Sequence, residues 1–163
     1  MSHMIINASL RDQVKELGCT PVGNRLGHCY KLELDSLESI ELLLEVDVIN
    51  NLEPSYEASL NVYFPKALQY IGSSNNNDSD AILNTDLKNA TWLSINLGNP
   101  FKSSTSLRIR FQLRPSMDNK LIVLSLTANT SSQMHMAYDA STFVNLAIVQ
   151  RAEVKLMERS GKH

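Results

Sequence analysis

Two cysteines, Cys19 and Cys29, are the residues whose type and spacing most directly indicate chemistry in this sequence. They bracket the stretch CTPVGNRLGHC, whose proline and glycines favour a tight turn that lets the two ends meet. The spacing fits neither a thioredoxin-type Cys-x-x-Cys motif nor a zinc ribbon, which needs a second cysteine pair. A disulfide that closes the loop is therefore favoured, and two free thiols in an intracellular protein are the alternative that the spacing leaves open.

Four tripeptides fit the N-glycosylation pattern Asn-x-Ser/Thr. They begin at Asn7, Asn77, Asn89 and Asn129. Such tripeptides also arise by chance in a chain that is rich in Asn and Ser. The four together favour a secreted or cell-surface protein only weakly.

The histidines and the serines form no recognisable catalytic or zinc-binding pattern. His28 adjoins Cys29, His135 falls in a predicted loop, and no pair of histidines has zinc-ligand spacing. There is no Gly-x-Ser-x-Gly motif, and with only 6 glycines the chain has no phosphate-binding loop. We therefore expect a protein that is not an enzyme.

The composition is typical of an ordinary folded domain. Hydrophobic residues make up 43% of the 163 residues, charged residues make up 20%, and the formal net charge is −2. This length supports one domain with a substantial core. Lysine and arginine are scattered and not in excess, so no nucleic-acid partner is expected. The apolar runs are too short to span a membrane.

Apolar and polar residues alternate along most of the chain, which is the period of a β-strand and not of a helix. In Ser106–Leu113 every second residue is apolar, without exception. The same pattern occurs in Glu41–Asn50, Ser59–Phe64, Ala90–Leu97, Lys120–Thr127 and Thr142–Leu156. The last of these segments is long enough that we expect it to bend near residues 149–152.

These segments, separated by turn signals, predict an all-β fold: an antiparallel β-sandwich of immunoglobulin-like two-sheet architecture. We expect roughly seven strands of this kind and little helix. Leu10–Leu17 and Ser36–Ile40 are the best helix candidates, and Ser73–Asp80 reads as a polar loop.

Several consecutive motifs resemble the calf-1 domain of integrin α subunits. They are NNLEPSYEASLNVYFP at Asn50–Pro65, LQYIG at Leu68–Gly72 and LGNPFK at Leu97–Lys102, in the order and spacing of that family. VKELGC at Val14–Cys19 resembles the approach to the calf-1 cysteine loop. AIVQRAEV at Ala147–Val154 resembles the segment that leads into the next leg domain. The resemblance covers nearly the whole chain.

The resemblance implies a structural leg module in the extracellular part of a single-pass plasma-membrane receptor. In such receptors the α subunit pairs with an integrin β subunit, and the leg domains carry conformational change between the ligand-binding head and the membrane. A joint, the genu, lies on the N-terminal side of calf-1, and a Cys19–Cys29 disulfide would close its loop. The excised domain is expected to be a monomer.

The resemblance also implies a calcium ion at the genu and no other cofactor. Glu53 stands at the acidic position of the family's calcium site, and Asn24 and the backbone carbonyl of Cys19 are further candidate ligands. Calcium takes about six to eight oxygen ligands, so such groups suit it. The loop departs from the family pattern because it is longer and has no Asp or Glu, which lowers the calcium affinity that we expect. The family's second disulfide is also missing, since Ile95 or Asn96 stands where its later cysteine would be.

The resemblance suggests domain boundaries. Residues 1–4 read as a cloning scar, residues 5–18 as the end of a preceding thigh segment or linker, residues 19–157 as the calf-1-like sandwich, and residues 158–163 as a C-terminal tail.

Two other classes of protein compete with this interpretation. A ligand- or carbohydrate-binding β-sandwich of another secreted protein predicts exposed aromatic residues clustered on one face. Trp92 and most tyrosines fall in strand patterns, where packing is the commoner role. A hydrolase would need a convergent acid–base pair, and no spacing in the sequence suggests one.

Overall fold

The computed structural model describes residues 1–19, 27–75, 78–82, 85–116 and 120–151. Within these ranges the chain forms twelve strands and one short 3-10 helix, Ala137–Ala140. The strands are β1 (Met4–Arg11), β2 (Val14–Leu17), β3 (Gly27–Leu34), β4 (Ile40–Asn50), β5 (Ala58–Tyr63), β6 (Leu68–Asn75), β7 (Asp78–Ile82), β8 (Thr85–Asn89), β9 (Trp92–Gly98), β10 (Ser104–Leu113), β11 (Leu121–Asn129) and β12 (Ser141–Gln150).

The strands form two sheets that pack as a sandwich, which confirms the predicted fold class. The five-stranded sheet has the order β1-β4-β10-β6-β7, and the seven-stranded sheet has the order β2-β3-β12-β11-β5-β9-β8. Neighbouring strands pair antiparallel except β3 and β12, which run parallel. Each strand of the core places alternate side chains inward, as the period of two predicts.

The core lies between the two sheets and consists of aliphatic and aromatic side chains. Phe111 on β10 is fully buried, and its ring lies 5.0 Å from that of Phe64 and 6.3 Å from that of Tyr70. Ile95, one of the two residues at the family's second-disulfide position, is also fully buried and lies opposite Thr85 in the β8–β9 register.

The chain enters the sandwich at one end and leaves it at the other. We call these the entry end, where β1 begins at Met4 and β4 ends at Asn50, and the exit end, where β12 ends at Gln150. His3 contacts Asp139 just before β12, so β1 and β12 both start at the entry end. Further along β1, Asn7 contacts His28, which is paired with Val144 on β12. Later residues of β1 therefore lie near later residues of β12, so β1 and β12 run in the same direction.

The predicted boundary at residue 19 is wrong, because the preceding residues belong to the sandwich. β1 pairs with β4 along its whole length, from Met4 opposite Asn50 to Arg11 opposite Leu43. Met4, which was predicted to belong to a cloning scar, is completely buried. Residues 4–17 therefore contribute two strands, and the predicted tail at 158–163 lies outside the described residues.

Both candidate helices and the polar loop are also corrected. Residues 10–17 leave β1 and enter β2 through Asp12 and Gln13, whose φ angles of 63° and 56° turn the chain from one sheet to the other. Residues 35–38 form exposed bends. Most of the predicted loop at Ser73–Asp80 is strand, since β6 runs to Asn75 and β7 begins at Asp78. β12 ends at Gln150, within the range of the predicted bend.

Candidate functional site at the entry end of the sandwich

Cys19 and Cys29 form a disulfide, with their Cα atoms 5.5 Å apart. Leu17 on β2 lies opposite Cys29 on β3, so the disulfide closes the chain just beyond the end of the β2–β3 pair. β2 is an edge strand and pairs with β3 alone. The disulfide therefore anchors this edge to the sheet. Asn24, the candidate calcium ligand in the closed loop, lies outside the described residues.

Gly27 is required at the start of β3 because of a close approach. A Cβ atom added to Gly27 would lie 2.4 Å from the ring of Phe143 on the neighbouring strand β12. Any side chain at this position would therefore require the Phe143 ring to move. The residue that follows, His28, makes polar contacts with Asn7 Oδ1 at 3.1 Å and Glu16 Oε1 at 3.4 Å. His28 thus links β3 to β1 and to β2 beside the disulfide.

The turn that carries Glu53 is organised by the buried side chain of Asn50. The Nδ2 group of Asn50 donates to the carbonyl oxygens of Glu53 at 2.9 Å and Phe101 at 3.0 Å, and to Ser55 Oγ at 3.1 Å. The backbones of Ser55 and Phe101 exchange two further hydrogen bonds. The backbone of this turn is therefore held in place.

The carboxylate of Glu53 points outward from this turn and binds the amino terminus. The Met1 amino group donates to Glu53 Oε2 at 2.7 Å, and the Glu53 side chain is 76% exposed. The hydrogen bond and the positive charge of that amino group lower the pKa of Glu53 below its ordinary value. An open groove of about 640 Å³ adjoins the pair and is lined by Met1, Asn51, Leu52, Glu53 and His135.

The residues at the entry end fit a calcium ion only in part. Glu53 offers one exposed carboxylate, but no group of three or more His, Cys, Asp or Glu side chains suited to a metal occurs in the described ranges. Calcium needs about six to eight oxygen ligands. The disulfide and Glu53 also lie at different levels. His28, beside the disulfide, contacts Asn7, whereas Glu53 contacts Met1. Asn7 follows Met1 by six residues, and six residues of extended chain span about 20 Å.

The three glycosylation candidates in the described ranges are all exposed, and they differ in what lies opposite them. Asn7 faces Asp47 across the β1–β4 pair, and Asn129 faces Ser59 across the β5–β11 pair. Asn89 faces Trp92 across the β8–β9 hairpin. The fourth candidate, Asn77, lies outside the described residues.

Trp92, for which we expect a packing role, lies together with Tyr63 on the outer face of the seven-stranded sheet. Tyr63 is 45% exposed, and its ring stacks on that of Trp92 with centroids 5.5 Å apart and an interplanar angle of 15°. The signal was present in the sequence. Because Val62 and Leu93 point inward, the alternation places the adjacent Tyr63 and Trp92 outward.

Comparison with known proteins assigns this chain to a protein family. The family model described as integrin alpha Ig-like domain 2 matches residues 11–149. The comparison with curated proteins gave no match. In the part of the chain that the structure describes, no helix combines the length and the apolar character that crossing a membrane requires.

Solved structures with a similar fold include bacterial and archaeal proteins. The bacterial hydrophobin BslA is 10% identical, with a TM-score of 0.50 and coverage of 91% of this chain and 95% of that chain. A cohesin module from a Clostridium perfringens ATCC13124 family 33 glycoside hydrolase is 15% identical, with a TM-score of 0.44 and coverage of 91% and 99%. A non-cellulosomal cohesin from Archaeoglobus fulgidus is 10% identical, with a TM-score of 0.42 and coverage of 95% and 97%. At its identity, the likeness to BslA concerns the fold alone.

Proposed function

Because this chain belongs to the integrin alpha Ig-like domain 2 family, we propose that it is the calf-1 module of an integrin α subunit. In this role it is a non-catalytic spacer in the extracellular leg of a plasma-membrane receptor. It transmits conformational change between the ligand-binding head and the membrane. Its partners are the neighbouring leg domains and an integrin β subunit.

The observation that carries this proposal is the path of the chain through the sandwich. β1 starts at the entry end and β12 finishes at the exit end, so the two connections to neighbouring domains leave from opposite ends. A strand of ten residues spans about 33 Å. Two sheets with a continuous core between them resist bending. Such a body keeps its two connections at a fixed separation.

The joint of the proposed leg lies at the entry end. The disulfide anchors the β2 edge on this side, and the turn carrying Glu53 is held by the hydrogen bonds of Asn50. Interfaces between consecutive domains are modest in area, so relative motion is the default expectation. Motion at the entry end therefore bends the leg, and the sandwich behind it moves as one piece.

The proposal is tested in the complete α subunit that contains this chain, expressed with its β subunit on cells. Residues 4–150 are replaced by a flexible Gly–Ser linker of equal length, and head-to-membrane distance is followed by fluorescence energy transfer. We expect ligand binding by the head to persist and the extension signal to be lost, because a flexible linker does not transmit displacement. Unchanged extension would contradict the spacer role. The matched control replaces only the exposed bend at residues 35–38 and should extend normally.

The calcium ion belongs to the same proposal. We infer that it binds at the joint of the complete receptor, where Glu53 supplies one carboxylate and the preceding domain supplies the further oxygens. Calcium should then raise the melting temperature of the complete leg by several degrees, and Glu53→Ala should abolish that shift. The control Glu38→Ala removes an exposed carboxylate between β3 and β4 and should leave the shift intact. A shift that survives Glu53→Ala would exclude Glu53 as a ligand.

One observation favours a second candidate function, a carbohydrate-binding sandwich. The stacked pair of the exposed Tyr63 and the half-buried Trp92 offers an aromatic surface of the kind that sugars stack on. Unglycosylated protein that bound a glycan array, and lost binding in Trp92→Ala, would favour this candidate. We prefer the spacer because the family match covers most of the chain.

A further inference from the structure

A glycosylation motif lies directly beside the stacked pair of Tyr63, which is exposed, and Trp92, which is half-buried. In the register of the seven-stranded sheet, Asn89 is the cross-strand partner of Trp92, and Trp92 is the partner of Tyr63. Directly opposed residues of antiparallel strands present their side chains on the same face, about 5 Å apart. The register of β8 shifts between Leu87 and Asn89, and after this bulge the pairing places Asn89, Trp92 and Tyr63 in one row across the sheet.

The aromatic pair forms a firm apolar platform. The rings of Tyr63 and Trp92 are stacked, and the indole N–H of Trp92 donates to Asn61 Oδ1 at 3.3 Å, which holds the larger ring in place. Beyond Tyr63, the outward-facing Leu121 and Val123 of β11 are 61% and 43% exposed. Covering this face would remove exposed apolar surface from water.

The Asn89 side chain is presented for attachment of a sugar. Its Oδ1 accepts hydrogen bonds from the Thr91 backbone N–H at 2.8 Å and from Thr91 Oγ1 at 3.1 Å. These bonds fix the orientation of the amide. Its Nδ2, the atom that would carry a glycan, has no hydrogen-bond partner within the described residues, and the side chain is exposed.

We propose that Asn89 carries an N-linked glycan whose first sugar lies against the Trp92–Tyr63 platform. The proposal rests on the extracellular function proposed above, since attachment occurs in the secretory pathway. Nδ2 forms a bond to C1 of the sugar of a polyprenyl-diphosphate-linked oligosaccharide. The C1–O bond breaks, the polyprenyl diphosphate leaves with the bonding electron pair, and the amide loses one proton.

The contact is chemically well matched. One face of a pyranose ring presents C–H groups, and the face of an aromatic ring carries negative partial charge. Stacking of the sugar also removes apolar ring surface from water. The covalent bond to Asn89 keeps the sugar at a high effective concentration beside the platform, so a weak contact suffices.

The other sequons provide a matched internal comparison. Asn129 lies on the same outer face of the same sheet, but its cross-strand partner is Ser59. Asn7 lies on the other sheet opposite Asp47, and its Oδ1 contacts His28. Of the sequons in the described ranges, Asn89 alone faces an aromatic partner.

Trp92 is the only tryptophan of the chain, so its fluorescence reports directly on the proposed contact. The same sequence is produced as a secreted protein in animal cells and as an unglycosylated protein in bacteria. Glycopeptide mass spectrometry then measures occupancy at each sequon. With Asn89 occupied, we expect Trp92 emission at shorter wavelength and acrylamide quenching reduced about twofold. We also expect a melting temperature roughly 2–4 °C higher. Trimming to a single N-acetylglucosamine should preserve these effects.

Two variants separate the sites. Asn89→Gln should make the secreted and bacterial proteins identical in Trp92 emission, while Asn129→Gln should leave the difference unchanged. Absence of a glycan at Asn89, or an occupied Asn89 with unchanged quenching, would overturn the proposal. Either result leaves the spacer role intact, because that role is measured by receptor extension. Conversely, loss of the spacer role would not alter the fluorescence of the secreted chain.

Discussion

Asn50 illustrates how much of the entry end depends on one buried amide. Its Nδ2 group donates hydrogen bonds to the carbonyl oxygens of Glu53 and Phe101 and to the hydroxyl oxygen of Ser55. We expect Asn50→Ala to lower the free energy of unfolding by about 2–3 kcal/mol, because buried acceptors lose their donor. Urea unfolding measures the change. The adjacent Asn51→Ala, whose side chain is exposed, should cost less than about 0.5 kcal/mol, and equal costs would contradict this role.

Contacts between residues that are close in the sequence could be predicted. The cysteine spacing predicted the Cys19–Cys29 bond, which the structure contains. The pairing of Glu53 with the Met1 amino group was not predictable, because it joins groups 52 residues apart that meet only when β1 adds to β4. Trp92 was a different case. Its outward position followed from the alternation, but the general tendency of aromatic residues to be buried took precedence in our interpretation.

At the scale of elements, strong alternation predicted six of the eight inner strands, missed the inner strands β3 and β6, and predicted none of the edge strands. β4, β5, β9, β10 and β11 were expected close to their observed bounds, whereas the segment of β12 was expected to continue to Leu156 and the strand ends at Gln150. The edge strands β2, β7 and β8 are only 4–5 residues long, and each pairs on one side only. The described side chains of β2 and β8 are mostly exposed. Such strands bury little apolar surface, so their sequences carry little periodic signal.

β1 is the element whose role differs most from the expectation, and a pair of isoleucines tests it. Ile6 is buried between the sheets, whereas the adjacent Ile5 points to the other face. We expect Ile6→Ala to destabilise the protein by about 2–4 kcal/mol, and Ile5→Ala by less than about 1 kcal/mol. Thermal or urea unfolding of the full chain gives both values. If residues 5–18 were a linker, both substitutions would be silent.

The disulfide anchors an edge that has few other contacts. Replacing both cysteines, with Cys19→Ser and Cys29→Ser, should reduce the free energy of unfolding by about 2–3 kcal/mol, the loop-entropy value for a separation of 10 residues. Urea unfolding measures the loss, and reduced wild-type protein should show the same loss. Detection of two free thiols in denatured, non-reduced protein would show that the bond does not form.

At the scale of the whole molecule, the sandwich joins two properties that a leg segment needs. Its entry and exit connections lie at opposite ends, and a continuous core couples the two sheets between them. Neither property could be read from alternation. The direction in which β1 and β12 run depends on which strands become neighbours, and the parallel pairing of β3 with β12 is not encoded in a local pattern.

The most direct test of the spacer is the distance between its two ends within the leg. Spin labels at Leu52, beside the entry end, and at Leu121, beside the exit end, occupy exposed positions. Pulsed electron spin resonance on the complete receptor should give one narrow distribution near roughly 30–40 Å. That distribution should be identical in the bent and the extended receptor. A distance that changed between the two states, or a broad distribution in either, would contradict the claim that this domain moves as one rigid body.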